Sequence, residues 1–145
     1  ICVILGDNLF EYQLSPGLRR FADDPKGAMV FLKTVDDPER FGVATLEGGR
    51  VTKIVEKPKE PESNWAVTGA YCYDADVFEI IKTLKPSERG ELEITDVNNA
   101  YLERGELQAH KLDGWWTDAG TFESLHRASM LVANSRTRST KDESP

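Results

Sequence analysis

Two aspartates stand where a carboxylate can meet a hard cation. Asp7 follows the apolar run Ile1-Cys2-Val3-Ile4-Leu5 and precedes Asn8; Asp118 follows Trp115-Trp116-Thr117 and leads into Ala119-Gly120-Thr121. A carboxylate just past a strand suits Mg2+, which takes one or two carboxylates and completes its shell with water and substrate phosphate. Each aspartate reads equally well as a turn or helix-start residue, and spacing does not show that the two meet. Glu56-Lys57-Pro58 sets an acceptor beside a cation. Proline biases Lys57 toward extended backbone, and neighbours along a strand point to opposite faces. Both side chains therefore reach one ligand only if the strand breaks at Pro58. Otherwise they form an exposed ion pair of little energetic weight, which is the reading the residues alone favour. Gly42 and Val67-Thr68-Gly69 are places where backbone either approaches a ligand or simply bulges and packs. Arg89, ahead of Glu91-Leu92-Glu93, is a phosphate clamp or half of a local ion pair. His110 and His126 lack a partner pattern and read as structural. Of Trp115 and Trp116, one is expected in the core and one on a sugar-stacking face.

The elements that must position these residues are legible as punctuated apolar runs. Ile1 to Leu5 reads as a fully buried strand of parallel-sheet character. Ser15-Pro16 opens a short helix with Leu14, Leu18 and Phe21 on one face. Ala28 to Leu32 is the next strand. Phe41 to Leu46 and Val51 to Val55 form a hairpin about Gly48-Gly49, although the second half shows no clean two-faced alternation. Ala66 to Tyr73 is a strand, followed by helices carrying Val77, Ile80, Ile81 and Leu84, then Ile94, Val97 and Tyr101, the second closed by Gly105. Strands at Leu107 to Leu112 and Trp115 to Asp118 precede a last helix marked by Phe122, Leu125, Ser129 and Val132. This alternation predicts an α/β domain with a Rossmann-like mixed, mostly parallel sheet flanked by helices. Ligands on such sheets bind beyond the carboxyl ends of strands, where Asp7, Glu56-Lys57 and Asp118 all fall.

Bulk properties narrow the function classes. At 145 residues the chain holds one core, and its formal net charge of −7 disfavours nucleic acid and anionic membranes as partners. No apolar run reaches the roughly 20 residues of a membrane helix. Cys2 and Cys72 read as buried free thiols of a reducing compartment, so a cytoplasmic location is expected. The apolar opening without Met carries the expectation that this is part of a longer chain.

In order along the sequence stand Leu5-Gly6-Asp7-Asn8, Asp37-Pro38-Glu39-Arg40-Phe41-Gly42-Val43, Glu56-Lys57-Pro58, Ala66-Val67-Thr68-Gly69, Arg89-Gly90-Glu91-Leu92-Glu93-Ile94-Thr95-Asp96 and Trp116-Thr117-Asp118-Ala119-Gly120-Thr121. Each motif is weak alone; the ordered set resembles the later portion of the glucose-1-phosphate thymidylyltransferases, within the sugar-1-phosphate nucleotidyltransferases. The resemblance runs from about Leu5 to Asn134. It implies a sugar-phosphate-binding portion over residues 1–134; residues 135–145 read, from their polar composition, as a disordered tail. It further implies Mg2+ held by Asp7 and Asp118, sugar contacts from Gly42, Glu56 and Val67, and phosphate held by Lys57 with help from Arg89. The implied reaction joins dTTP and glucose 1-phosphate into dTDP-glucose and pyrophosphate, toward dTDP-rhamnose and other deoxysugars, in a homo-oligomeric parent. The family's glycine-rich Gly-Gly-x-Gly-Thr-Arg loop does not occur in the sequence, so an incomplete and inactive chain is expected. Thr117-Asp118-Ala119 stands where relatives often have Leu-Asp-Thr. A non-catalytic sugar-phosphate-binding or regulatory module of the same fold is the alternative.

Overall fold

One strand decides the layering. Strand β3 (Ala28–Thr34) directs Ala28, Val30 and Leu32 into one apolar cluster and Met29 and Phe31 into another, so its sheet must be covered on both sides. The computed structural model describes the backbone of residues 1–87 and 90–142, and side chains as far as Ser135. The sheet runs β5 (Arg50–Glu56), β4 (Gly42–Glu47), β6 (Trp65–Tyr73), β3, β7 (Leu107–Lys111), with β1 (Cys2–Ile4) also paired to β6. Helix α1 (Ser15–Asp23) lays Phe21 and Leu18, together with its N-cap Leu14, on the Met29–Phe31 face. Helices α2 (Val77–Thr83) and α3 (Ile94–Glu103) cover the opposite face with Val77, Ile80, Val97 and Tyr101. Strands β2 (Asn8–Phe10) and β8 (Trp116–Asp118) form a separate two-stranded ribbon, and α4 (Phe122–Asp142) follows β8.

The α/β class, the mixed sheet and the flanking helices are as expected. Among the described residues, parallel pairing is confined to β3 with β7; β1–β6, β3–β6, β4–β5 and β4–β6 are all antiparallel. The connections explain this: parallel neighbours need a long crossover, and none joins the strands between Ala28 and Tyr73. The irregular β5 pattern also has a cause. The register slips between Thr45 and Leu46, which pair with Lys53 and Val51. Thr52 is left as an extra residue, and Val51 and Ile54 come to lie buried in one cluster.

Strand β1 departs from its expectation. It is antiparallel, with Ile4 52% and Leu5 43% exposed, because β6 covers one of its edges and no described strand lies on the other. Cys2 is accordingly exposed, while Cys72, directly opposite it on β6, is buried; both are free thiols. The helix α4 continues to Asp142, into the polar stretch where the apolar pattern has already stopped.

A polar cluster closes the end of β6. Asp74 accepts hydrogen bonds from the Tyr101 hydroxyl (2.7 Å) and the Gly27 N–H (2.7 Å). Burial alone would raise the Asp74 pKa, but these bonds, with that from the Asp76 N–H, hold it below the ordinary carboxylate value. The folded state thus binds this proton more weakly than the unfolded chain does. The resulting stability is complete above the ordinary value of about 4 and is lost as pH falls through the lower folded value. Asp74→Asn is expected to flatten the decline of the thermal midpoint below about pH 4, which a melting series across that range would check.

Candidate functional site

The β2–β8 ribbon is what brings the two aspartates together. Asn8 is the register partner of Asp118, and the Ala119 N–H donates to the Asp7 carbonyl at 2.8 Å. Asn8 itself ties three elements. Its Oδ1 accepts from the Gly69 N–H (2.8 Å) and from Trp116 Nε1 (2.7 Å), and its Nδ2 donates to Asp7 Oδ1 (2.9 Å). Gly69 admits this contact because a Cβ there would lie 2.5 Å from Asn8 Nδ2. Gly120 has a matching role. A Cβ on it would stand 3.1 Å from Asp7 Oδ2 and 3.8 Å from Asp118 Oδ2. The two carboxylate oxygens therefore lie within about 7 Å of each other, facing space left open by a missing side chain.

Glu56 and Lys57 are reconciled by the backbone. The expectation that Pro58 holds Lys57 extended does not stand: Lys57 has φ 42°, the one positive φ at a non-glycine residue among those described. Its N–H donates to the Phe41 carbonyl at 3.0 Å, and this turn ends the strand so that both side chains border one cleft. The Glu56 carboxylate is half-buried and accepts from Thr95 Oγ1 on α3. It is a positioned acceptor rather than half of an exposed ion pair. Gly42 is Glu56's register partner, and a Cβ there would come within 3.2 Å of both Glu56 Oε2 and Thr95 Oγ1.

The cleft is a cavity of about 270 Å3, and six of the residues singled out from the sequence line it: Asp7, Gly42, Glu56, Lys57, Val67 and Asp118. Arg89 lies outside the described residues. Tyr71 also lines the cavity, and burial, reinforced by the charges of Glu56 and Asp7, pushes its hydroxyl well above the ordinary range. It stays a neutral donor at any physiological pH. Trp116 is buried, with its ring edge-on to Phe41 at 5.0 Å; Trp115 is half-buried, its Nε1 bonded to Ser135.

A family model described as nucleotidyl transferase matches residues 1–135. The chain belongs to the nucleotidyl transferase family. It is 48% identical over 135 residues to a glucose-1-phosphate thymidylyltransferase of Xanthomonas campestris, covering 90% of this chain and 46% of that protein. A low-salt glycan biosynthesis nucleotidyltransferase of Haloferax volcanii is 40% identical, over 88% of this chain and 36% of its own length. In three dimensions the chain is similar to a Bacillus anthracis structure, assigned as a glucose-1-phosphate thymidylyltransferase and solved with sucrose. The TM-score is 0.84 at 57% identity, covering 90% of this chain and 53% of that one. An apo UDP-glucose pyrophosphorylase gives a TM-score of 0.78 at 27% identity, over 94% of this chain and 55% of that one. The chain spans about half the length of the curated relatives it matches.

For this nucleotidyl transferase family member, the donor set fits a divalent cation with a partly open shell. Two carboxylates lie near each other and Gly120 leaves room between them. That pattern suits an ion finished by water and phosphate. Four residues of the cleft escape sequence reading: Asn8, Tyr71, Thr95 and Arg40. The side-chain amide of Asn8 and the hydroxyl of Thr95 carry no period or spacing signal, since their partners are far along the chain. Arg40 hydrogen-bonds both Asp118 oxygens at 3.1 Å and Asp37 at 2.8 Å. The Asp37 bond, against some loss from burial and with help from Asp118, raises its pKa further. Its only sequence signal is membership of the Asp-Pro-Glu-Arg turn.

Asn8→Ala removes the acceptor of two N–H groups and is expected to destabilise the chain by about 2 kcal/mol. Asn8→Asp keeps that acceptor but sets a carboxylate oxygen against Asp7 Oδ1 in place of the donor, so it should also be destabilised, and more at neutral pH than at about pH 3. Urea denaturation of the two variants at both pH values would check this.

Proposed function

We propose that this chain forms the sugar-phosphate and metal-carboxylate side of a nucleotidyltransferase that joins dTTP and glucose 1-phosphate into dTDP-glucose and pyrophosphate. The observation that supports it most directly is the convergence of Asp7, Gly42, Glu56, Lys57, Val67 and Asp118 on one cavity from five separate stretches of sequence. On this reading Glu56, oriented by Thr95, accepts hydrogen bonds from sugar hydroxyls, as an ionised carboxylate does well. Gly42 and Val67 form the wall against which the ring sits, and the protonated Tyr71 hydroxyl donates. Lys57 holds the sugar phosphate, with Arg89 assisting. A phosphate oxygen then attacks the nucleotide α-phosphorus in line as pyrophosphate leaves, so the protein's work is placement and charge balance. Mg2+ bound at Asp7 and Asp118 would supply neutralisation of the phosphate charge. The reaction would feed dTDP-rhamnose and other deoxysugars in the cytoplasm, within a homo-oligomeric parent. With a chain about half its relatives' length, residues 1–145 alone are expected to give negligible pyrophosphate from dTTP, glucose 1-phosphate and Mg2+. Turnover of roughly 1 per second would show this portion to be sufficient.

Calorimetric titration tests the division of roles. Glu56→Ala is expected to weaken glucose 1-phosphate binding by roughly tenfold or more, as loss of a charged hydrogen-bonding group does, while leaving Mn2+ binding intact. Asp118→Asn should do the reverse, and equal losses for both ligands in both variants would overturn the assignment. A chain that binds glucose 1-phosphate but no divalent cation would favour the non-catalytic module.

Lys57 gives a separate check on the strained turn. A left-handed non-glycine residue costs about 1–3 kcal/mol. Lys57→Gly is therefore expected to be more stable than Lys57→Ala, while both lose affinity for the sugar phosphate. Equal unfolding midpoints would count against strain at this position.

A further inference from the structure

Asp37-Pro38-Glu39-Arg40 folds as a single tight turn. Pro38 opens it, the Arg40 N–H reaches back to the Asp37 carbonyl and the Phe41 N–H to the Pro38 carbonyl. This winding throws Arg40 over Asp37 and across to Asp118, on a different element. Nη1 is anchored on Asp37 at 2.8 Å, and Nη2 meets both Asp118 oxygens at 3.1 Å. The guanidinium also lies 4.9 Å from the centre of the Phe41 ring. Asp37 is in turn approached by Arg127 at 3.8 Å. A cation is thus seated on the carboxylate proposed to hold the metal, and it is fastened at its far end to something else.

We propose that Arg40 is a positioning residue that serves as an internal placeholder cation, neutralising and aiming Asp118 until a divalent ion displaces its Nη2 contact. The inference rests on the reading of Asp118 as a metal carboxylate. An ion and a guanidinium cannot share both Asp118 oxygens, because Arg presents donors only and its charge repels a second cation. The Asp37 anchor makes exchange cheap: releasing one contact leaves the side chain tethered by the other. Room exists for that movement, since Arg40 and Asp37 both border a second recess of about 780 Å3, which Asp118 also lines. The Asp-Pro-Glu-Arg turn therefore weakens cation binding while keeping the empty carboxylate from pairing elsewhere.

The 145-residue chain, with Mn2+ as the paramagnetic probe, tests this by water-proton relaxation titration. Arg40→Gln is expected to bind Mn2+ roughly fivefold tighter or better, as removal of an adjacent unit charge predicts. Arg40→Lys, which keeps the charge and loses the fork, should stay within about twofold of the parent chain. A residue of merely structural importance would show the opposite sign, because damage to the turn loosens Asp118 and weakens binding. Circular dichroism establishes that each variant is folded, and Asp37→Asn gives a second handle. By removing the anchor it commits Arg40 to Asp118, so Mn2+ should bind more weakly. Equal or weaker affinity in Arg40→Gln overturns the placeholder and leaves the metal assignment standing. Absence of Mn2+ binding in every form overturns both.

Discussion

A carboxamide in the right orientation governs the site. Asn8 offers one acceptor oxygen and one donor nitrogen, and its neighbours admit a single assignment: two N–H donors, from Gly69 and Trp116, converge on Oδ1, and a carboxylate, Asp7, faces Nδ2. The group is partly buried, so each bond counts for more than it would in water, and an unmet partner would cost more still. Through these contacts the central strand β6, the ribbon strand β8 and the cleft-lining Asp7 share one anchor. The absence of a side chain at Gly69 is the condition for it.

The second constraint is the abrupt end of β5. Strand geometry would separate Glu56 from Lys57 by placing them on opposite faces. The left-handed turn at Lys57, fastened to the Phe41 carbonyl, uses backbone strain to bring an acceptor and a cation to the border of one cleft. Such strain persists where surrounding contacts overdetermine the conformation. Thr95 on α3 then fixes the carboxylate from the opposite side. The sheet, its hairpin and one covering helix thereby each contribute an atom to the same pocket.

Much of this was legible in the sequence, and the gaps have physical causes. The apolar periods gave every large element, because burial on one face leaves a repeat in the chain. The strand-end positions of Asp7, Glu56 and Asp118 followed from the same reading. What the residues could not show was convergence, which depends on the β2–β8 ribbon, and β2 is too short to leave a period. Lys57 was misjudged because the rule for residues preceding proline is statistical, and a tertiary hydrogen bond overrode it. β1 was misjudged because an apolar run reports an appetite for burial without naming what supplies it. Arg40 was passed over because a turn motif announces its backbone shape and says nothing of where its last side chain lands.

The ribbon also sets when the site can exist. Asn8 and Trp116 are 108 residues apart in sequence, whereas the β4–β5 hairpin closes through two glycines. Closing a large loop carries an entropic cost that is repaid only after contact is made. The hairpin is thus free to assemble on local information, while the pairing of β2 with β8, like that of β3 with β7, requires distant parts of the chain to meet. Asp7 and Asp118 therefore become neighbours only through that long closure, and no local stretch of the chain sets their separation.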